Sequence, residues 1–116
     1  MERNPGVAGT SALTADPVLL RFRRAVDDVY GARNIERVVL FGSRARGNAR
    51  PDSDYDIAVF LNDPGELWEE PGKLSRITTA ILDDTGAVLS AKPFSAGAWR
   101  EMSPLMHEMR HDGLDL

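Results

Sequence analysis

The 116 residues are one domain's worth of chain, large enough for a core and too few for two. Hydrophobic content of 42% and charged content of 28% are ordinary for a folded soluble protein, and the lack of cysteine excludes disulfides and thiolate chemistry. A net charge of −4 argues against general nucleic-acid binding, which needs a basic footprint.

In chain order, residues 1–15 are small and polar without periodicity and read as a flexible tail, with residues 16–116 forming a single domain. Asp16-Pro17 marks a helix start, since Asp16 can cap and Pro17 suits the first turn. Leu19, Phe22, Val26 and Val29 make one helical stripe, and Gly31 stops it. Arg21, Arg23 and Arg24 beside that stripe read as a solvated face. Glu36–Phe41 is a first strand running into Gly42-Ser43, residues 48–53 are turn formers, and Asp54–Leu61 is a second strand. A Pro64-Gly65 break and an acidic segment with Leu67 and Trp68 lead to Pro71-Gly72. Leu74, Ile77, Thr78, Ile81 and Leu82 then form another stripe, ended by Gly86. Ala87–Phe94 is a third strand, weakened by Pro93, and Ser103-Pro104 opens a last short helix that stops at Gly113. This order predicts an α/β or α+β domain, a small mixed sheet packed against helices. No apolar run approaches membrane-spanning length, and Met-Glu-Arg-Asn-Pro-Gly lacks the plan of a signal peptide, so no membrane partner and a cytoplasmic location are expected.

Function is concentrated between Phe41 and Leu61. Gly42 directly after a strand lets the backbone turn tightly and approach a phosphate. Amides beyond Ser43 would open a helical turn that favours anions, with the Ser43 hydroxyl as a further donor. Arg44, Arg46 and Arg50 lie on the same connection and would neutralise a triphosphate. Ten residues after Ser43 comes Asp54-x-Asp56. Alternation along a strand turns both carboxylates to one side, roughly 6.5–7 Å apart at Cα, where they can share magnesium with substrate phosphates.

Gly42-Ser43, ten residues, then Asp54-x-Asp56 resembles the signature of the DNA polymerase beta-like nucleotidyltransferase superfamily, in particular its minimal single-domain members, and the Arg-Ala-Arg-Gly after Ser43 is typical of them too. The resemblance implies the polymerase beta-like fold, Gly42, Ser43, Arg44 and Arg46 on the nucleotide, and Asp54 and Asp56 as catalytic metal ligands. It implies Mg2+ with ATP or another nucleoside triphosphate, and transfer of a nucleoside monophosphate, by expectation AMP, to a hydroxyl. Small members are often antitoxin-like partners of helical HEPN-type toxins, so a protein partner is implied as well. The family pattern also calls for a third carboxylate on a later strand. Here that strand reads Gly-Ala-Val-Leu-Ser-Ala-Lys-Pro-Phe, with Val88 or a neighbour in its place, and Asp83 and Asp84 belong to a helix end. Two readings stay open: a nucleotidyltransferase, and a catalytically impaired antitoxin or interaction module.

Two other motifs are declined. His107-Glu108-Met109-Arg110-His111 fits the zinc-protease pattern, but Arg110 puts a cation between the ligands and no third ligand follows. Asp52-x-Asp54-x-Asp56 resembles the start of a calcium loop, yet Ile57 and Asp63 stand where glycine and glutamate are required. Leu105, Met106 and Met109 are expected in the core.

Overall fold

A computed structural model describes residues 16–63, 65 and 72–116; the tail assigned to residues 1–15 and the segment around Leu67 and Trp68 lie outside the described residues. Helix α1 spans Pro17–Tyr30, strand β1 Ile35–Phe41, the single turn α2 Ser43–Arg46, β2 Tyr55–Leu61, α3 Gly72–Thr85, β3 Leu89–Ser95, α4 Pro104–Asp112 and β4 Leu114–Asp115. The sheet order is β3-β2-β1-β4, with β2 and β3 parallel and the other pairs antiparallel. The expected mixed sheet with helices is therefore present. Three elements were not read from the sequence: β4, which pairs Leu114 with Leu40 and Asp115 with Val39, and the 3₁₀ turns over Ala32–Asn34 and Ala96–Arg100.

Alternation along β2 gives the sheet two faces. Tyr55, Ile57, Val59 and Leu61 point to one, where Leu19, Phe22 and Val26 of α1 and Leu74, Ile77 and Ile81 of α3 cover them. Burying each such aliphatic or aromatic side chain stabilises the fold by about 1.5–3 kcal/mol, which is why these stripes and not helix propensity set the packing. A bulge between Ile35 and Arg37 lets Ile35 join this core out of the phase of Val38 and Leu40. Ala58 and Phe60 point the other way, towards Val39, Ala98, Met106 and Met109. Phe60 stacks on Phe94 at 5.2 Å and meets Trp99 edge-on at 5.4 Å, closing the far end of this second face.

The helix starts follow their caps. The Asp16 carboxylate accepts from Val18 N at 2.8 Å, and Ser103 Oγ accepts from Met106 N at 3.1 Å. Pro93 sits in β3, the edge strand, where a missing N–H costs no central ladder bond. Arg21 pairs with Asp84 at 2.8 Å on the exposed surface, whereas Arg23 and its partner Asp27, 3.3 Å away, are half-buried, so the solvated face is carried by Arg21 and Arg24. No helix among the described residues is long and apolar enough to cross a membrane.

Candidate functional site

Strand β1 ends at Phe41, whose register partner on β2 is Asp56. The next residue, Gly42, is buried with φ 77° and ψ −157°, a region essentially reserved for glycine. A Cβ added there would overlap the Asp56 carboxylate oxygen Oδ2 and come within 3.2 Å of its Cγ. Glycine is thus demanded twice, by the backbone and by the carboxylate lying on its Cα.

Ser43 begins α2. The amides of Ala45 and Arg46 both donate to Gly42 O at 3.1 Å, leaving Ser43, half-buried, at the head of the turn. The chain then crosses a tight loop in which Ser53 N donates to Arg50 O at 3.0 Å and Arg50 N to Ser53 Oγ at 2.9 Å. Asp54 follows, exposed and one residue before β2 rather than within it; Asp56 is half-buried on β2. Burial raises the Asp56 pKa above its ordinary value, and the Asp54 charge adds to the effect; Lys92 and Arg46 oppose it, and Glu108 reinforces it.

The two arginines differ. Arg44 donates from Nε to Ser53 O at 2.9 Å and from Nη2 to Pro51 O at 3.0 Å, and its guanidinium lies 3.9 Å over the Tyr55 ring. It fastens the loop that delivers Asp54. Tyr55 itself is buried, and its hydroxyl donates to Asp16 Oδ2 at 2.8 Å, so the cap of α1, the first residue of β2 and the loop are tied together. Arg46 is exposed on the Asp56 side and pairs with Glu108 of α4 at 3.3 Å.

Glu108, Lys92 and Ser90 are neighbours that sequence reasoning did not place. Parallel pairing sets Ser90 opposite Asp56 and Lys92 opposite Ala58, so Ser90, not Val88, stands beside the aspartate. Val88 precedes β3, its carbonyl accepts from Tyr55 N at 2.9 Å, and its side chain is exposed. The even spacing of Ser90 and Lys92 was a visible signal, but the strand register that gives it meaning was not. Asp83 and Asp84 are exposed at the end of α3. His107 and His111 stack on an exposed face of α4 at 6.1 Å, and among the described residues no group of three His, Cys, Asp or Glu could hold a metal.

Two carboxylates, one half-buried and burdened by its neighbour's charge, are hard oxygen donors that suit one divalent cation. A cavity of about 460 Å³ adjoins the loop, bounded by Arg44, Asp52, Ser53, Tyr55 and Val88. The apolar groove of about 430 Å³ between α1 and α3, lined by Ala25, Val29, Ile77 and Ile81, contains none of the predicted site residues.

A glycine-led turn against an Asp-x-Asp at the start of a strand, on a mixed sheet, fits a nucleotidyltransferase-type domain. The family model described as nucleotidyltransferase domain matches residues 19–91, and the chain belongs to that family. No curated protein matches it. Among solved structures it is similar to one provisionally described as a minimal nucleotidyltransferase, at 25% identity and a TM-score of 0.53 over 92% of this chain and 95% of the other. A provisionally described nucleotidyltransferase from Sulfolobus solfataricus has 19% identity and a TM-score of 0.52, over 98% and 87% of the two chains. A chain of a toxin–antitoxin crystal structure with AMP-PNP has 18% identity and a TM-score of 0.53, over 83% and 69%.

Proposed function

We propose that residues 16–116 form one nucleotidyltransferase domain that binds a nucleoside triphosphate, by preference ATP, with Mg2+ and transfers a nucleoside monophosphate to an acceptor hydroxyl. The observation that carries this reading is the Asp56 carboxylate packed on the Cα of Gly42, with Asp54 two residues away. It sets the Gly42-Ser43 turn beside the Asp54 and Asp56 carboxylates, which supports a phosphate site next to a cation site.

In this account Asp54 and Asp56 hold the cation, and Gly42, Ser43 and Arg46 receive the phosphates. Arg44 acts at one remove by fixing the loop, and a remaining donor of its guanidinium would serve a phosphate oxygen. Magnesium, when bound, neutralises phosphate charge and orients the triphosphate. The acceptor oxygen forms a bond to the α-phosphorus, the bond from that phosphorus to the pyrophosphate oxygen breaks, and pyrophosphate leaves with the electron pair while the hydroxyl proton passes to water. The protein's share is positioning and charge, which supply most of the catalysis in such displacements. The acceptor we favour is a hydroxyl on a protein partner of the HEPN type in the cytoplasm. The resemblance to small antitoxin-like family members supports that choice, and the likeness to a toxin–antitoxin structure is compatible with it.

A second reading has one observation behind it. Ser90 stands beside Asp56 where a further carboxylate would complete the metal site, which favours a nucleotide-binding antitoxin without transfer activity. Mixing the protein with labelled ATP, Mg2+ and a co-purified partner and measuring intact masses separates the two. A discrete nucleotide adduct on the partner supports transfer, and binding of ATP without any adduct supports the second reading.

A further inference from the structure

A carboxylate pair that holds two ions about 3.5–4 Å apart needs oxygen ligands on both sides of the pair. On one side of Asp56 lie Gly42 and α2, the proposed triphosphate side. On the other side lies β3. Paired strands are about 4.8 Å apart, and alternation turns Ser90 and Lys92 to the face that carries Asp56. Ser90 is half-buried and Lys92 exposed, and β3 contains no acidic residue. Glu108 reaches the same face from α4, where Arg46 engages it.

Ser90 and Lys92 do not suit a second divalent ion, and the Glu108 carboxylate is engaged by Arg46. A neutral hydroxyl is a weak ligand beside carboxylates, and an ammonium repels a cation. They do suit a fixed positive charge, because lysine is a compact point charge with three donors on a stem long enough to lean along a strand towards Asp56.

We propose that this is a one-ion site, in which Lys92 on β3 replaces a second divalent cation and presents its ammonium to the acceptor side of the bound triphosphate. The inference rests on the nucleotide reading above, and it assigns Lys92 a role whether transfer proves fast or slow. Ser90 and Lys92 together set a neutral hydroxyl and a fixed positive charge where a third carboxylate and its ion would stand.

The test counts ions. The protein is saturated with the non-hydrolysable ATP analogue AMP-PNP, and protein-bound Mn2+ per bound analogue is measured by equilibrium dialysis with electron paramagnetic resonance. One Mn2+ is expected for the unmodified chain. The double variant Ser90→Asp, Lys92→Met removes the charge and supplies a carboxylate beside Asp56, and it is expected to bind two. Lys92→Met alone is expected to keep one ion while losing at least tenfold in transfer wherever transfer is measurable, with Lys92→Arg recovering part of it. Two ions on the unmodified protein overturn the proposal, and so does a folded double variant that still holds one. Failure to bind AMP-PNP at all strikes the nucleotide reading itself, a different result from binding it with the wrong number of ions.

Discussion

The two faces of the sheet are built to opposite ends. One is sealed: α1 and α3 press an unbroken apolar layer on Tyr55, Ile57, Val59 and Leu61, all of them buried. The other is sealed only where Phe60, Phe94, Trp99, Met106 and Met109 meet, and at its open end the same strand turns from Phe60 and Ala58 to a half-buried carboxylate. Seven residues of β2 thus pass from core to chemistry within one strand. Stability is concentrated where no ligand can reach, which leaves the exposed end free to carry like charges that a folded protein alone would not favour.

Substitutions along this contrast should separate cleanly. Phe22→Ala, in the sealed layer, removes a fully buried ring and is expected to cost about 3–5 kcal/mol, seen as a large loss in denaturant midpoint and poor recovery of folded protein. A loss under about 1 kcal/mol would show that face to be less tightly packed than described. Gly42→Ala lies at the junction. It forces a Cβ into a glycine-only conformation and into the Asp56 carboxylate, with an expected cost of about 1–3 kcal/mol and loss of ATP binding in calorimetry. Intact binding would mean that the carboxylate need not lie on Gly42.

Tyr55→Phe sharpens the comparison, since Tyr55 is packed in the sealed core while its hydroxyl reaches Asp16 at the margin. Losing that bond should cost about 0.5–1.5 kcal/mol by urea melting. Burial, and then the Asp16 bond, raise the phenol's pKa, so the fold favours its protonated form. That contribution is therefore constant at neutral pH and fades only in alkali, as pH rises past the ordinary tyrosine range. The smallest effect is expected at Asp56. Its pKa is raised by burial and by Asp54, so the fold disfavours the charged form; stability from this group is present below the ordinary carboxylate pKa and is lost as pH rises through the higher folded value. Asp56→Asn should accordingly melt slightly higher than the parent at pH 7, with the gain shrinking as pH falls towards about 4. An Asn variant less stable at pH 7 would contradict the charge balance described for the site.

Much of the fold was legible because its signals are local. Asp16-Pro17, the Leu19-Phe22-Val26 stripe and the two apolar strand runs each state their element without reference to the rest of the chain. The expected strand boundary at Asp54 missed by one residue, because an exposed aspartate and a buried tyrosine are told apart only by the partner strand. Strand β4 escaped notice since two residues carry no periodicity; what fixes it is pairing with Leu40 and Val39 and the close approach of Gly113 to Val39. In the site, the Gly42-Ser43 and Asp54-x-Asp56 spacing was visible, but the division of labour between Arg44 and Arg46 was not. Nothing in Arg-Ala-Arg says that one guanidinium will clamp the carbonyls of Pro51 and Ser53 while the other pairs with Glu108, sixty-two residues on. The neighbours of Asp56 across the parallel pair likewise depend on register, which moved the position of interest from Val88 to Ser90.

The central claim is that the open end of the second face holds a triphosphate through a cation on Asp54 and Asp56. Titration of ATP with Mg2+ into the parent and into Asp54→Asn tests it most directly, because Asp54 is exposed and its loss should change stability by under about 0.5 kcal/mol. The account predicts Mg2+-dependent binding to the parent and at least tenfold weaker binding to the equally stable variant. Equal affinity for both, or binding to the parent that is indifferent to Mg2+, would contradict it.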